Sequence, residues 1–199
     1  MEDQPDKSRS LTVADDHLPT RFRLLGVLPL IFFLTHALYY VRHGGLSHLL
    51  WMCNIGNLVL SVGLFFGRPA LIRLAVFWLI PGLPLWLWYV VMRGGWLLTS
   101  SFAHVGGLIV GLIALARVRV SRWSWLSATA WYLLVQQVCR MFTPAALNVN
   151  LAHQIYGGWE NVFSSYWQYW LATTAAVGVG MWLMGIILVK LLPPRTASP

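Results

Sequence analysis

Long apolar stretches, separated by short polar segments, run through most of this 199-residue chain. Six of them are close to the length that a helix needs to cross about 30 Å of hydrocarbon. They cover residues 24–41, 46–66, 70–92, 102–116, 126–142 and 168–192. Because a helix satisfies its own backbone hydrogen bonds inside a bilayer, the pattern predicts an all-α fold, a bundle of six transmembrane helices.

Polar segments flank this predicted transmembrane domain, which covers residues 21–192. Residues 1–20 hold five of the six acidic residues and lack apolar periodicity, which is typical of a disordered tail. Residues 193–199 begin with two prolines, which end the last helix and leave a short C-terminal tail. The segment 143–167, between the last two spans, is too long for a simple turn and predicts a functional cap or a re-entrant segment.

The third predicted span contains Pro81 and Pro84. Each proline removes a backbone donor, so we expect this helix to kink or open there. A kink that serves packing and a kink that exposes carbonyl groups to a cavity are both compatible with the sequence.

The composition excludes an ordinary soluble domain. The chain is 58% hydrophobic and only 10% charged, and Glu160 is the single acidic residue after residue 16. The net charge of +8 does not indicate a nucleic-acid partner, because the Lys and Arg residues lie in short segments between apolar stretches. The expected partner is the lipid bilayer.

The distribution of Lys and Arg predicts the orientation. With the N-terminus in the cytoplasm, eleven of the fourteen basic residues lie on the inner side and three on the outer side, at Arg42, Arg93 and Arg140. Positive residues accumulate on the cytoplasmic side of membrane proteins. We therefore expect both termini inside, in a multi-pass protein of a cytoplasmic (inner) membrane.

Polar side chains gather towards the outer side of this predicted bundle. His36 lies near the outer end of the first span, and His104 lies in the first turn of the fourth. The outer segment adds Asn148, Asn150 and His153. This convergence predicts an extracytoplasmic polar site.

The second span contributes a polar face to the same region. Asn54 and Asn57 share that face with Cys53, at helical spacings. An amide that faced lipid would cost several kcal/mol, so we expect this face to point into the bundle.

Arg140, at the outer membrane edge, needs a partner. Glu160 is the only acidic residue on that side, so a pairing of the two is one interpretation of the sequence.

Cys53 has three interpretations. It can be a small apolar filler. It can form a disulfide with Cys139, which is also near the outer surface, if the compartment is oxidising. It can also be a nucleophile, which needs a base such as His104.

Several motifs resemble marks of a family of uncharacterised bacterial six-helix membrane proteins. They are Ser47-His48-Leu49-Leu50-Trp51-Met52-Cys53-Asn54-Ile55, Phe102-Ala103-His104, and Asn148-Val149-Asn150 with Gly157. The match covers most of residues 24–192.

More remotely, a Cys in an early span with a His about fifty residues later is similar to a group of membrane acyl-handling enzymes. The group includes the androgen-induced FAR-17a-like lipid hydrolases, which use Thr and His, and related lipid acyltransferases, which use Cys and His. The resemblance implies that Cys53 is the nucleophile and His104 the base, with a lipid or acyl chain as substrate. Asn148 or Asn150 would have to orient His104, as Asn does in some Cys–His sites.

Three functions follow as hypotheses. The first is a thiol-dependent lipid acyl hydrolase or acyltransferase without a cofactor or metal, in which Asn54 or Asn57 donates to the oxyanion. The second is a metal or haem protein, with imidazoles from His36 and His104 and from His48 or His153. The third is a non-enzymatic membrane binder, transporter or assembly factor. Motifs of soluble enzyme classes, such as the Walker loop, HExxH and GxSxG, are absent from the sequence.

Overall fold

A computed structural model describes residues 18–192, which are helical and contain no strand. The prediction of an all-α fold is confirmed. The long helices within this range are α1 (Thr20–Arg42), α2 (Met52–Phe65), α3 (Pro69–Arg93), α4 (Leu98–Leu115), α5 (Ser124–Phe142) and α6 (Tyr166–Leu191). The predicted tails, residues 1–20 and 193–199, lie outside the described residues apart from 18–20.

Four of these helices, α1, α3, α4 and α6, are long and apolar enough to cross a membrane. Helix α2 has only 14 residues, about 21 Å at 1.5 Å per residue. Helix α5 has 19 residues but carries Gln136, Gln137 and Arg140. Four membrane-spanning candidates fit a multi-pass membrane protein.

The second apolar stretch does not form one continuous helix. Residues Leu46–Leu50 form a separate 3₁₀ turn, and Trp51 has extended backbone with ψ near 136°. Helix α2 therefore begins at Met52, so that Cys53 lies in its first turn.

Helix α3 is central and packs against α2, α4 and α5, while α6 packs against α5. Its buried side chains include Ile72, Val76 and Phe77, which meet Leu60 and Leu64 of α2 in the core. The helix continues through Pro81 and Pro84, so the opening expected at these prolines is absent.

Two ends of the bundle are used below. The loop end is where α1, α3 and α5 finish, and it carries the 46–50 turn and the 143–167 segment. The arginine end is where α3 and α5 begin, close in the chain to Arg68, Arg73, Arg117, Arg119 and Arg122. The candidate site lies toward the loop end.

Candidate thiol–histidine site

Cys53 of α2 and His104 of α4 both lie beside Gly82 of α3. A Cβ atom on residue 82 would lie 3.3 Å from the Cys53 Cβ and 3.9 Å from the His104 Cδ2. The two side chains therefore border the same small space, which exists because residue 82 has no side chain. We call Cys53, Gly82, Trp86, Ser100 and His104 the thiol–histidine site.

The His104 imidazole is held from two directions. Its Nδ1 lies 2.8 Å from the carbonyl oxygen of Ser100, and its ring stacks on Trp86 with the centroids 5.3 Å apart. A carbonyl oxygen only accepts hydrogen bonds, so Nδ1 carries the proton in this arrangement. The lone pair of the imidazole is then on Nε2, where it can accept a proton.

His104 also lies in a π-helical turn, Phe102–Gly106, inside α4. Such turns are rare in proteins, but those that occur are frequently at functional sites. The turn is packed against α2, since the buried Asn57 side chain donates to the carbonyl oxygen of Ala103 at 2.8 Å.

Asn57 links the two halves of the site. Its Nδ2 also donates to the carbonyl oxygen of Cys53 at 2.9 Å, and its Oδ1 lies against Gly107. Both amide hydrogens are thus engaged by carbonyl groups next to the proposed nucleophile and base. These two hydrogen bonds hold the Asn57 amide between α2 and α4, and its assignment as a donor to an oxyanion stays a prediction.

Asn54 remains available for that role. One hydrogen of its amide goes to the carbonyl oxygen of His48 at 2.8 Å, and the other has no partner in the described structure. Its Oδ1 is buried without a hydrogen bond. The oxyanion assignment stays a prediction for Asn54.

His36 belongs to an aromatic layer beside the site. It is 2% exposed, its Nδ1 lies 2.9 Å from Thr99 Oγ1, and its ring meets the edge of Tyr40. Tyr40 stacks in turn on His48, at 4.9 Å between centroids.

This gathering of imidazoles does not amount to a metal site. Within residues 18–192, no group of three or more His, Cys, Asp and Glu side chains is arranged to hold a metal ion. His153 Nε2 lies 3.0 Å from Thr143 Oγ1 at the end of α5, and the participation of His153 in the site stays a prediction.

Asn150 anchors the long segment to the start of α2. Its Nδ2 lies 2.7 Å from the carbonyl oxygen of Leu50 and 3.3 Å from Cys139 Sγ, and its Oδ1 accepts from the Met52 amide. Asn150 has φ 51° and is followed by Leu151 at φ 58°. Left-handed backbone is tolerated by Asn but strained for Leu, so these hydrogen bonds hold an unfavourable turn.

Asn148 performs a similar task within the segment. It has φ 44°, and its Oδ1 accepts from the backbone amides of His153 and Gln154. The prediction that Asn148 or Asn150 orients His104 is wrong, because the carbonyl oxygen of Ser100 occupies that position.

The two cysteines are free thiols rather than a disulfide. Cys139 is fully buried, accepts from Asn150, and lies 3.9 Å from the carbonyl oxygen of Leu50. Cys53 is only half-buried. The filler and nucleophile interpretations of Cys53 therefore remain.

The ion pair between Arg140 and Glu160 is not formed. Arg140 donates to the carbonyl oxygen of Ala152 and lies over the rings of Tyr166 and Trp167, within 5 Å of each centroid. The Glu160 carboxylate accepts from the amide of Gly158. Aromatic faces and a carbonyl group therefore replace the expected carboxylate at Arg140.

We expect Asn150→Ala to lower the free energy of unfolding by about 2 kcal/mol, because buried backbone groups of Leu50 and Met52 lose their partners. Unfolding of the purified protein in detergent, followed by tryptophan fluorescence, measures the change. Asn161→Ala is the matched control, since Asn161 is exposed in the same segment. Equal stability of the two variants would show that Asn150 does not anchor the segment.

Sequence reasoning missed the residues that shape the site around Cys53 and His104. Ser100 lies four residues before His104, a spacing that places the two on one helical face, and this signal was available. Gly82 lies between two prolines, a pattern that indicates an unusual helix surface. The stacking of Trp86 and the π-helical turn carry no comparable sequence signal.

No family model matches this chain, and neither a curated protein nor a solved structure is significantly similar to it. What can be said of its function therefore depends on the site itself, in an all-helical protein with four helices able to cross a membrane.

Proposed function

We propose that this protein is a membrane-embedded thiol enzyme that hydrolyses or transfers acyl groups of lipids. The observation that carries the proposal is the convergence of Cys53 and His104 on Gly82. The hydrogen bond from His104 Nδ1 to Ser100 leaves Nε2 as the basic nitrogen, which is the arrangement a thiol–imidazole pair needs.

The reaction has two halves. His104 Nε2 takes the proton of the Cys53 thiol while sulfur attacks the carbonyl carbon of an ester and forms a C–S bond. The ester C–O bond then breaks, and His104 returns the proton to the departing alcohol. Water, or a second alcohol, attacks the resulting thioester with His104 as base, and the thiol is restored.

A lipid substrate is favoured by the surface next to the site. Phe102 and Val105, on either side of His104 in the chain, are 48% and 41% exposed. Leu85 and Leu87 flank Trp86 and are exposed as well. Apolar side chains exposed on a membrane helix face hydrocarbon, so an acyl chain could approach the thiol–histidine site laterally from the bilayer. The remote kinship with FAR-17a-like hydrolases and Cys–His acyltransferases is part of this proposal.

The proposal includes a topology of six spans with both termini in the cytoplasm of a bacterial cell and the protein in its cytoplasmic membrane. The bias of eleven basic residues to three supports this orientation. The thiol–histidine site then lies toward the extracytoplasmic side. In this arrangement, α2 and α5 are the remaining two spans, with the 46–50 turn completing the first of them.

Alkylation of Cys53 tests the pairing with His104 directly. In a Cys139→Ala background, we expect the rate of modification by N-ethylmaleimide near neutral pH to fall about tenfold or more when His104 is replaced by Ala, because the thiolate loses its base. Peptide mass mapping before and after reduction identifies the modified thiol.

Two controls separate activation of the Cys53 thiol by His104 from simple access of the reagent to the thiol. His36→Ala alters the aromatic layer but leaves His104 in place, so it should change the rate little. Made in the wild-type chain, Cys53→Ala leaves only Cys139. Cys139 is fully buried and should stay unmodified in the folded protein. If His104→Ala and His36→Ala slow the reaction equally, His104 is not the base and the proposed mechanism is wrong.

A second function, a non-enzymatic membrane binder, transporter or assembly factor, is favoured by a different observation. The Oδ1 atom of Asn54 is buried without a hydrogen-bond partner, and the Asn54 amide donates to the carbonyl oxygen of His48, whose ring stacks on Tyr40. Unpaired buried acceptors are what a bound polar molecule would satisfy. A non-enzymatic function predicts that the Cys53→Ala protein replaces the wild-type protein in cells without loss of its function.

A further inference from the structure

Arg140 lies at the loop end, in the last turn of α5, and so at the opposite end of the bundle from the arginine end. Its guanidinium is fixed from three sides. Nε donates to the carbonyl oxygen of Ala152 at 2.9 Å, and the guanidinium carbon lies 4.9 Å from the ring centroid of Tyr166 and 4.8 Å from that of Trp167. These contacts hold the planar group in one orientation without neutralising its charge.

No carboxylate within residues 18–192 balances the charge of Arg140. Glu160 is the only acidic residue in that range, and its carboxylate accepts from the Gly158 amide instead. Arg140 is half-buried, and a cation that is partly withdrawn from water is unfavourable without a counter-charge. The surroundings of Arg140 therefore favour a ligand that brings negative charge.

The guanidinium keeps hydrogen-bond donors for such a ligand. One of its N–H groups is engaged by Ala152, and the hydroxyl of Tyr166, which donates to the same carbonyl oxygen at 2.8 Å, can accept at most one more. Of the five N–H donors of an arginine, at least three therefore have no acceptor within the described residues. Their planar fork matches two oxygens of one phosphate group.

The surface next to Arg140 is aromatic and apolar. Trp167 and Leu171 lie one turn apart on the same face of α6 and are 61% and 64% exposed. Because α6 begins at the loop end, Leu171 lies deeper in the bundle than Trp167. Trp and Tyr are typical of the headgroup level, and exposed apolar side chains below it contact acyl chains. A ligand that joins a negative headgroup to acyl chains fits both parts of this surface.

We infer that Arg140, Tyr166 and Trp167 form a binding site for the phosphate group of an anionic phospholipid. The phosphate oxygens accept from the guanidinium, and an acyl chain lies along Trp167 and Leu171. The uncompensated charge of Arg140 selects a headgroup with net negative charge over a zwitterionic one. The inference goes beyond the proposed acyl chemistry, because it concerns binding and needs no turnover.

Thermal unfolding of the detergent-purified full-length protein tests the site. Short-chain phosphatidylglycerol is titrated against short-chain phosphatidylcholine, which carries the same phosphate with a balancing ammonium group. A separate arm titrates sodium phosphate against sodium chloride at equal ionic strength. We expect phosphatidylglycerol to raise the midpoint of unfolding at about a tenth of the phosphatidylcholine concentration or less, and Arg140→Gln to raise the required concentration about tenfold or more.

Arg42→Gln is the matched control for the loss of charge. Arg42 is the last residue of α1, so the change removes the same charge from the same end, at an exposed side chain. If Arg140→Gln does not fold, Trp167→Ala replaces it. Trp167 is largely exposed and is one of the two rings that orient the guanidinium, so the expected direction is the same.

Each result has a defined meaning. A response to phosphatidylglycerol that Arg140→Gln weakens and Arg42→Gln does not weaken supports the site. Equal losses in the two variants mean that general positive charge attracts the lipid, and the inference is overturned. It is also overturned if the two lipids act alike. A response to sodium phosphate that depends on Arg140 would make this a site for free phosphate, and the assignment to a lipid would be wrong.

Discussion

Replacing Cys53 with Ser is expected to lower acyl turnover by about a thousandfold or more while the protein stays folded. A hydroxyl group has the same shape but ionises far less readily than a thiol, and His104 lacks a carboxylate partner that would strengthen it as a base. Release of labelled fatty acid from phospholipid, or its transfer to a second lipid, measures the rate with purified protein in mixed micelles.

Cys139→Ser is the matched control for this loss. It changes the other free thiol, which lies against Asn150 and not against His104, so turnover should stay within a few-fold of the wild-type rate. Size-exclusion profiles and unfolding midpoints confirm that both variants are folded. A Cys53→Ser protein as active as the wild type would remove the thiol mechanism, and the non-enzymatic binder would become the leading hypothesis.

Gly107→Ala is expected to lower the free energy of unfolding by about 3 kcal/mol. A Cβ atom at residue 107 would collide with the Oδ1 of Asn57, a side chain that is fully buried and has no space to move. Relief of the collision would break the amide hydrogen bonds from Asn57 to Cys53 and Ala103. The variant should therefore also lose the fast alkylation of Cys53, because the two halves of the site separate.

Gly180→Ala is the control for the effect of replacing a helical glycine with alanine. Gly180 lies in α6, and a Cβ atom there has no neighbour within 4 Å. Alanine favours a helix over glycine by about 1 kcal/mol, so this variant should be as stable as the wild type or slightly more stable. The close approach of Asn57 to α4 would be in doubt if Gly107→Ala behaved in the same way. Reversible unfolding in mixed detergent micelles measures both variants.

The helices were predictable because apolar length and backbone satisfaction in a bilayer decide them before any detailed packing does. Their ends were less predictable. The break at Trp51 divides a continuous apolar stretch, and hydropathy does not distinguish a 3₁₀ turn from the helix that follows it. The prolines at 81 and 84 did not open α3, because a helix within a bundle can accommodate a missing donor through its neighbours.

Within the site, the proximity of Cys53 and His104 was a prediction from their placement towards one side of the bundle, and they do border the same space at Gly82. The partner of His104 was not predicted correctly. Asn148 and Asn150 were assigned by analogy with other Cys–His sites, but both have left-handed backbone, and their side chains bond the backbone of His153 and of Leu50 instead. Spacing along the chain does not reveal such dihedral angles, whereas it did place Ser100 one turn before His104.

The π-helical turn at Phe102–Gly106 has a consequence for recognising this protein's relatives. It amounts to one residue more than an α-helix needs, and each residue turns a helix by about 100°. A homologue with a single-residue gap in 102–106 would keep the packing of Gly107–Leu115 but rotate Thr99 away from His36 and alter the setting of His104. The length of this short segment is thus a diagnostic character, which would separate homologues that retain the site from those that share only the bundle.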